Sequence, residues 1–306
     1  MKLIKPSFEI WEQPAGLEGV YKQIERAGRT CYKSSDKITD TSAKEFVDRM
    51  IKSGHGAMLE HGTVYLDFTD DITEARKRYI KNPYSKVYKN TLGEDWDYPH
   101  LYVVTNYRLL VKNNWLDDLK YACEPTEYHE RRVTVHFTCD RGVSHEFVRH
   151  RVFSFAQEST RYCNYSKDKF GNEITCIIPS WLKLPEGNVN KSEFITEKGI
   201  SVYSTLKGAT EYINNSGITE DKLINAVYLN ELLRCESSYF QLMEHGWTPQ
   251  QARAILPNSL KTEINMCGFT SDWKHFFELR DSSNAHPDMQ ALIAPLHKEF
   301  KDKGIL

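Results

Sequence analysis

The segment from Arg141 to Tyr165, RGVSHEFVRHRVFSFAQESTRYCNY, is the stretch of the chain richest in cations and hydroxyls. Arg149, His150 and Arg151 are consecutive, and Arg161 follows with Ser159, Thr160 and Tyr162 around it. A guanidinium can donate two parallel hydrogen bonds to a pair of phosphate oxygens, and serine and threonine hydroxyls add donors, so these types suit phosphate recognition. On a helix, residues two apart diverge by about 200°. Arg149 and Arg151 placed there would serve different partners, and two anionic ligands are one natural reason. A short basic cluster is more commonly the solvated end of a helix. Against that stands the adjoining run Val152, Phe153, Ser154, Phe155 and Ala156, too apolar for a fully solvated face.

The elements that must hold this segment are legible from periodicity. Ser42 and Glu45 have capping-box spacing, and Phe46, Val47, Met50 and Ile51 recur at helical intervals before Gly54, predicting a helix over residues 43 to 53. Val64, Leu66 and Phe68 alternate with polar positions, as do Val133, Val135, Phe137 and Cys139, and each set predicts a strand. A further strand is expected around Leu101 to Tyr107, within an aromatic segment (Asn82 to Ser85, Trp96 to Pro99) that resembles an insertion on a sheet. Lys222 to His245 carries Leu223, Ala226, Val227, Leu229, Leu232, Leu233, Tyr239, Phe240 and Met243 at helical spacing before Gly246. Thr248, Pro249 and Gln251 start another helix, and Trp273, Phe276, Phe277 and Leu279 mark a third over about Ser271 to Arg280. Strands early and helices late predict an α+β fold, a central sheet packed with helices, in one compact domain over residues 1 to 306 with a helical C-terminal half.

Composition bounds the chemistry. The chain has 306 residues, 40% hydrophobic and 27% charged, and a formal charge of -2, which supplies no bulk field for a polyanion such as nucleic acid. The seven cysteines contain no C-x-x-C pair, which suits reduced thiols. The N-terminal residues lack the apolar run of a signal peptide, and no stretch of roughly 18 apolar residues predicts a membrane span, so a cytoplasmic protein is expected.

The string RHRVFSFAQESTRY resembles the signature of the flavin-dependent thymidylate synthases: R-H-R, seven residues, then S, continued here as S-x-R-Y. HGAMLEHGTVYLDF resembles the family's early histidine and strand, ARAILPNSL its A-R-x-x-L-P-x-x-L element, and FFELRDSSNAH its F-L-x-L-R segment. Residues 72 to 131 have no counterpart in compact family members, and the family's A-Q-x-E-I-R stands here as Ala285 to Gln290, AHPDMQ. The resemblance implies FAD-dependent methylation of dUMP to dTMP, with 5,10-methylenetetrahydrofolate as carbon donor and NADPH as reductant, in a homotetramer with shared active sites. It implies flavin contacts from His61, Thr63, Arg149, His150, Arg151, Gln157, Phe269, Thr270, Ser271 and His275. For dUMP it implies Glu146, Arg149, Gln157, Glu158, Ser159, Thr160, Arg161, Arg253 and Arg280. Arg280 is the candidate catalytic group: a fixed cation at the pyrimidine edge stabilises the negative charge left when N3 loses its proton. Its pKa is too high for it to accept that proton. Ser159 has no histidine or lysine in its local motif placed to activate it as a nucleophile.

Three other readings compete with this one. HEFVRH has arginine at position 149 where the zinc-protease helix needs histidine. An RNA-binding module would use Arg141, Arg149, Arg151, Arg161, Lys167 and Lys169 with interleaved aromatics, but Glu146 and Glu158 lie inside that cluster. A flavoenzyme acting on another pyrimidine nucleotide is the closest competitor.

Overall fold

The computed structural model describes residues 1–90, 100–167, 171–189 and 220–306. The aromatic stretch Trp96 to Pro99 and Lys169 lie outside the described residues. The first half runs β1 (Lys2–Ile4), β2 (Ser7–Trp11), α1 (Gly16–Tyr32), α2 (Ser42–Lys52), β3 (Thr63–Phe68), α3 (Ile72–Tyr79), β4 (Lys86–Asn90), β5 (His100–Asn106) and α4 (Tyr107–Asn113). Then follow β6 (Arg132–Asp140), α5 (Arg141–Phe147), β7 (Ser154–Gln157), β8 (Thr175–Ile177) and β9 (Gly187–Asn188). The last part is α6 (Glu220–Glu244), α7 (Pro249–Ala252), β10 (Lys261–Phe269), α8 (Thr270–Arg280) and α9 (Pro287–Asp302). The fold is α+β, as the sequence predicts, with its strands shared among three sheets.

Two predicted features form differently. The capping box at Ser42 is absent: Thr41 is the N-cap, and the Ser42 hydroxyl donates instead to Glu25 Oε2 at 2.8 Å. Glu25 is buried and accepts from Arg29 (2.7 Å) as well as from Ser42, because a desolvated carboxylate needs its acceptors filled. The second difference concerns Arg149, His150 and Arg151. Helix α5 ends at Phe147 and the triplet lies in the turns beyond, so the divergence expected on a helix does not apply. By contrast, the Thr248 and Gln251 capping box forms as expected.

The chain packs as two compact units, each assembled from three separate stretches. The first (Met1–Ser7, Thr138–Ser144, Ser159–Thr262) has the three-stranded sheet β8-β1-β9, with β1 parallel to β8 and antiparallel to β9. Its core is Leu3, Cys163, Tyr165, Cys176, Leu229, Leu232, Tyr239 and Leu260, where one face of α6 meets the strands.

The second unit (Phe8–Phe137, His145–Glu158, Glu263–Leu306) holds the other two sheets. In the order β3-β5-β4, β3 and β5 are antiparallel with Val64 opposite Thr105 and Leu66 opposite Val103. Val64, Leu66, Phe68, Leu101 and Val103 bury one face against Ile24, Phe46 and Leu110, as period-two alternation requires. Residues 72 to 131 thus supply two of this sheet's three strands. The four-stranded sheet is ordered β2-β6-β10-β7, and its edge strand β7 runs antiparallel to β10 with Ile264 opposite Gln157 and Cys267 opposite Ser154. Among the described residues no helix is long and apolar enough to cross a membrane.

Candidate active site

Helix α8 positions the candidate catalytic arginine. Its N-terminus is closed by Glu130, whose Oε1 accepts the Ser271 amide at 2.9 Å and the Thr270 hydroxyl at 3.5 Å, an anion where the helix presents free N–H groups. Trp273, Phe276 and Phe277 bury the helix's inner face, and Trp273 Nε1 donates to the Val133 carbonyl at 3.1 Å. At the other end Asp281 accepts from His297 Nδ1 at 2.6 Å, while that imidazole stacks on Phe277 with centroids 4.4 Å apart. Both ends of α8 are therefore fixed, and the last residue of the helix, Arg280, is half-buried in a set place.

Arg280 is bonded on three sides. Nη1 donates to Glu146 Oε2 at 2.6 Å, Nη2 to the Glu146 carbonyl at 3.3 Å, and Nε to His150 Nε2 at 2.9 Å. Of a guanidinium's five N–H groups these bonds use three, so two remain for a ligand. Because His150 Nε2 accepts, its ring proton must sit on Nδ1. Burial, then the Arg280 charge, then His275 push the His150 pKa down to about 4, so the imidazole is neutral at neutral pH. Its ring meets Phe276 edge-on at 4.8 Å.

The flanking arginines differ. Arg149 and Arg151 are exposed, and among the described residues neither side chain has a partner. The turn that carries them leads into Phe153, whose buried ring packs closely against Gly268: a Cβ there would stand 2.4 Å from the ring. Next to the turn, the β7 strand ends in half-buried Gln157, and Glu158 follows, 3% exposed, with its carboxylate 3.9 Å from Lys33 Nζ.

The remaining flavin candidates lie in the second unit too. His61 is fully buried, close to the Phe155 backbone but with neither ring nitrogen in a hydrogen bond. Burial, reinforced by Arg132, lowers its pKa to about 3. Thr63 is already committed: its hydroxyl accepts from Arg132 Nη1 at 3.2 Å, and its backbone exchanges bonds of 2.9 and 2.8 Å with the Gln13 amide. Phe269 is buried beneath Lys86 and Arg132, at 5.4 and 5.6 Å from its ring centroid. Thr270 and Ser271 are held by Glu130, while His275 is exposed beside Glu278.

In the first unit, the Ser159 Oγ accepts the Arg161 amide at 3.3 Å, and the Thr160 hydroxyl, buried, accepts from Arg253 Nη1 at 3.3 Å. Arg161 is exposed over the Tyr162 ring. Thus Glu146, His150 and Arg280 meet in one unit and Thr160 and Arg253 in the other. Two hubs escape sequence reasoning. Arg132 bonds the Glu60 carbonyl, Thr63 and Ser154, and Glu130 closes α8; their partners are far off in sequence, and the only local signal is the charged run Glu130-Arg131-Arg132 opening a strand.

The residue types present fit a flavin: Arg149 and Arg151, exposed and with no side-chain partner among the described residues, flank in sequence an imidazole that is neutral at neutral pH, and guanidinium groups are donors of the kind that hold phosphate. The thymidylate synthase complementing protein family matches residues 124–303, more than half of the chain, and the R-H-R turn, Arg253 and Arg280 all fall inside that span. The chain belongs to this family. Among its relatives, the flavin-dependent thymidylate synthase of Corynebacterium aurimucosum is 23% identical over 96% of this chain and 81% of that protein. That of Corynebacterium efficiens is 27% identical over 98% and 82%. The UMP/dUMP methylase PolB from Streptomyces cacaoi, crystallised with 5-Br dUMP, aligns with 100% of this chain and 93% of its own at 13% identity, but a TM-score of 0.39 is too loose a superposition to compare sites.

Proposed function

We propose that this chain methylates dUMP to dTMP with FAD as its bound cofactor, 5,10-methylenetetrahydrofolate as carbon donor and NADPH as reductant. The observation that carries the proposal is the half-buried Arg280, held by Glu146 and His150 with two N–H groups to spare. A cation so fixed costs no reorganisation when negative charge develops on a pyrimidine ring, which is the condition for electrostatic catalysis. Neutral His150 accepts from Arg280 and leaves that positive charge undiluted. Arg149 and Arg151 would hold the flavin's phosphates, with His61 and His275 as further contacts. Arg161, Ser159 and Arg253 would hold the nucleotide phosphate, Thr160 orienting Arg253. The bound flavin would supply the hydride, work no side chain can do.

The family match and the names of the relatives support this reading. We read residues 1 to 306 as one working domain, because each compact unit is threaded from three stretches of chain. A cytoplasmic homotetramer that pools residues from several subunits completes the reading. Tritium release from C5-labelled dUMP in the presence of FAD, NADPH and methylenetetrahydrofolate tests it directly. Release coupled to dTMP formation is the expected result; FAD binding with no release would assign the flavin to another nucleotide's chemistry.

A further inference from the structure

Arg132 opens β6, half-buried, and its guanidinium reaches stretches of the second unit that lie far apart in sequence. Nη1 and Nη2 both donate to the Glu60 carbonyl at 3.2 Å. Nη1 also donates to the Thr63 hydroxyl at 3.2 Å, and Nη2 to the Ser154 hydroxyl at 3.5 Å. The guanidinium carbon stands 5.6 Å from the centroid of the Phe269 ring. Taking a charge partly out of water costs free energy, and the bonds that offset it here run to neutral acceptors, a carbonyl and two hydroxyls. What the arrangement gains is geometry. A planar guanidinium is a rigid fork that fixes the directions of several acceptors at once, which a flexible ammonium cannot do.

Each stretch adjoins residues given above to the flavin. Glu60 and Thr63 stand on either side of His61 in sequence, and that imidazole is fully buried with neither ring nitrogen bonded. Its place therefore rests on packing and on the backbone that Arg132 grips at both sides. Ser154 is the first residue of β7 after the turns that carry Arg149, His150 and Arg151, and β7 is an edge strand whose neighbour is β10. Phe269 ends β10 and is the N-cap residue of α8. Thr63 belongs to the sheet β3-β5-β4, whereas Arg132, Ser154 and Phe269 belong to β2-β6-β10-β7. One side chain thus stitches the two sheets together where the proposed cofactor residues lie.

We propose, on the reading that this chain binds FAD, that Arg132 is a positioning residue for the cofactor: its fork keeps residues 60 to 63, the R-H-R turn and the start of α8 in one mutual placement. The contacts with the flavin belong to its neighbours, and Arg132 acts through them. Its four bonds are set by folding, so the segments are already in register before any ligand arrives, and less of the binding free energy goes into ordering them.

Titration of the full-length chain with FAD, followed by flavin fluorescence, tests this directly. Arg132→Lys keeps the charge and loses the fork, and its FAD affinity should fall about tenfold, the worth of one good hydrogen bond. The FAD needed for half-maximal tritium release should rise in step, while turnover at saturating FAD stays within about twofold of the unaltered chain, as expected when only binding is lost. The partner side separates positioning from plain stability. Thr63→Val should weaken FAD about threefold in the unaltered chain and not at all in Arg132→Met, because a bond already lost cannot be lost again. A general loss of stability, or a direct contact between Thr63 and flavin, would cost the same in both backgrounds. Should Arg132→Met fail to fold, Thr63→Val combined with Ser154→Ala removes two arms of the fork and should by itself weaken FAD about tenfold. Equal FAD affinity in Arg132→Lys and the unaltered chain, an equal Thr63→Val loss in both backgrounds, or no loss in the paired variant would overturn the role of Arg132 and leave the flavin reading standing. An unaltered chain that takes up no FAD would overturn both.

Discussion

Arg280 and the pair Arg149 and Arg151 are the same residue type in the same unit, yet the structure treats them oppositely. The first is half-buried and bonded to Glu146 and His150; the others are exposed, with no side-chain partner among the described residues. A guanidinium pinned in advance can stabilise charge that appears during a reaction, because its orientation has been fixed by folding. One left mobile in water can still bind a charged ligand, but part of the interaction energy goes into ordering its side chain. The difference separates residues prepared for chemistry from residues recruited by a ligand.

That contrast can be broken by substitution. Arg280→Ala should lower the turnover number by about 10²–10³, the usual loss for one preorganised electrostatic donor, with FAD binding nearly intact; unimpaired turnover would end the distinction. Arg149→Ala or Arg151→Ala should weaken FAD about 10- to 100-fold, one charge-assisted contact, and shift the melting free energy by less than about 0.5 kcal/mol, as surface changes do. A large drop in melting temperature there would mean that these side chains are structural. Glu146→Gln keeps the shape of the clamp and removes its charge, and about a tenfold loss of turnover, equal to one ordinary hydrogen bond, is expected without loss of flavin.

The subtlest test is acid stability. His61 and His150 have folded pKa values of about 3 and about 4, below the ordinary 6.5. The unfolded chain therefore binds protons that the folded chain refuses, and stability present above pH 6.5 drains away as the pH falls through 6.5 toward 4. His150→Gln should flatten that slope in denaturant titrations across the same window; an unchanged slope would show that His150 is already protonated beside Arg280.

Strands β3 and β6 and helices α2, α6 and α8 were legible because their burial is periodic, and period is written locally. The Ser42 capping box failed because Glu25, on another helix, competes for the same hydroxyl. The R-H-R triplet could be recognised by its spacing to Ser159, but not its place in the turns beyond α5, where the next buried residue, Phe153, packs against Gly268, more than 100 positions on. Arg280 with Glu146 came through the resemblance to a family. The clamp between them spans 134 positions, and no local pattern encodes such a meeting. Glu130 and Arg132 were invisible for the same reason.

Gly268 carries a consequence for anyone altering this chain. With a Cβ at that position 2.4 Å from the Phe153 ring, even alanine must push the aromatic ring aside, and with it the turns over residues 148 to 153 that carry the R-H-R triplet. The placing of Arg149, His150 and Arg151 therefore depends on one missing methyl group. Libraries that randomise strand β10 should leave this codon alone, and a homologue lacking glycine there can be expected to hold its arginines in a different frame.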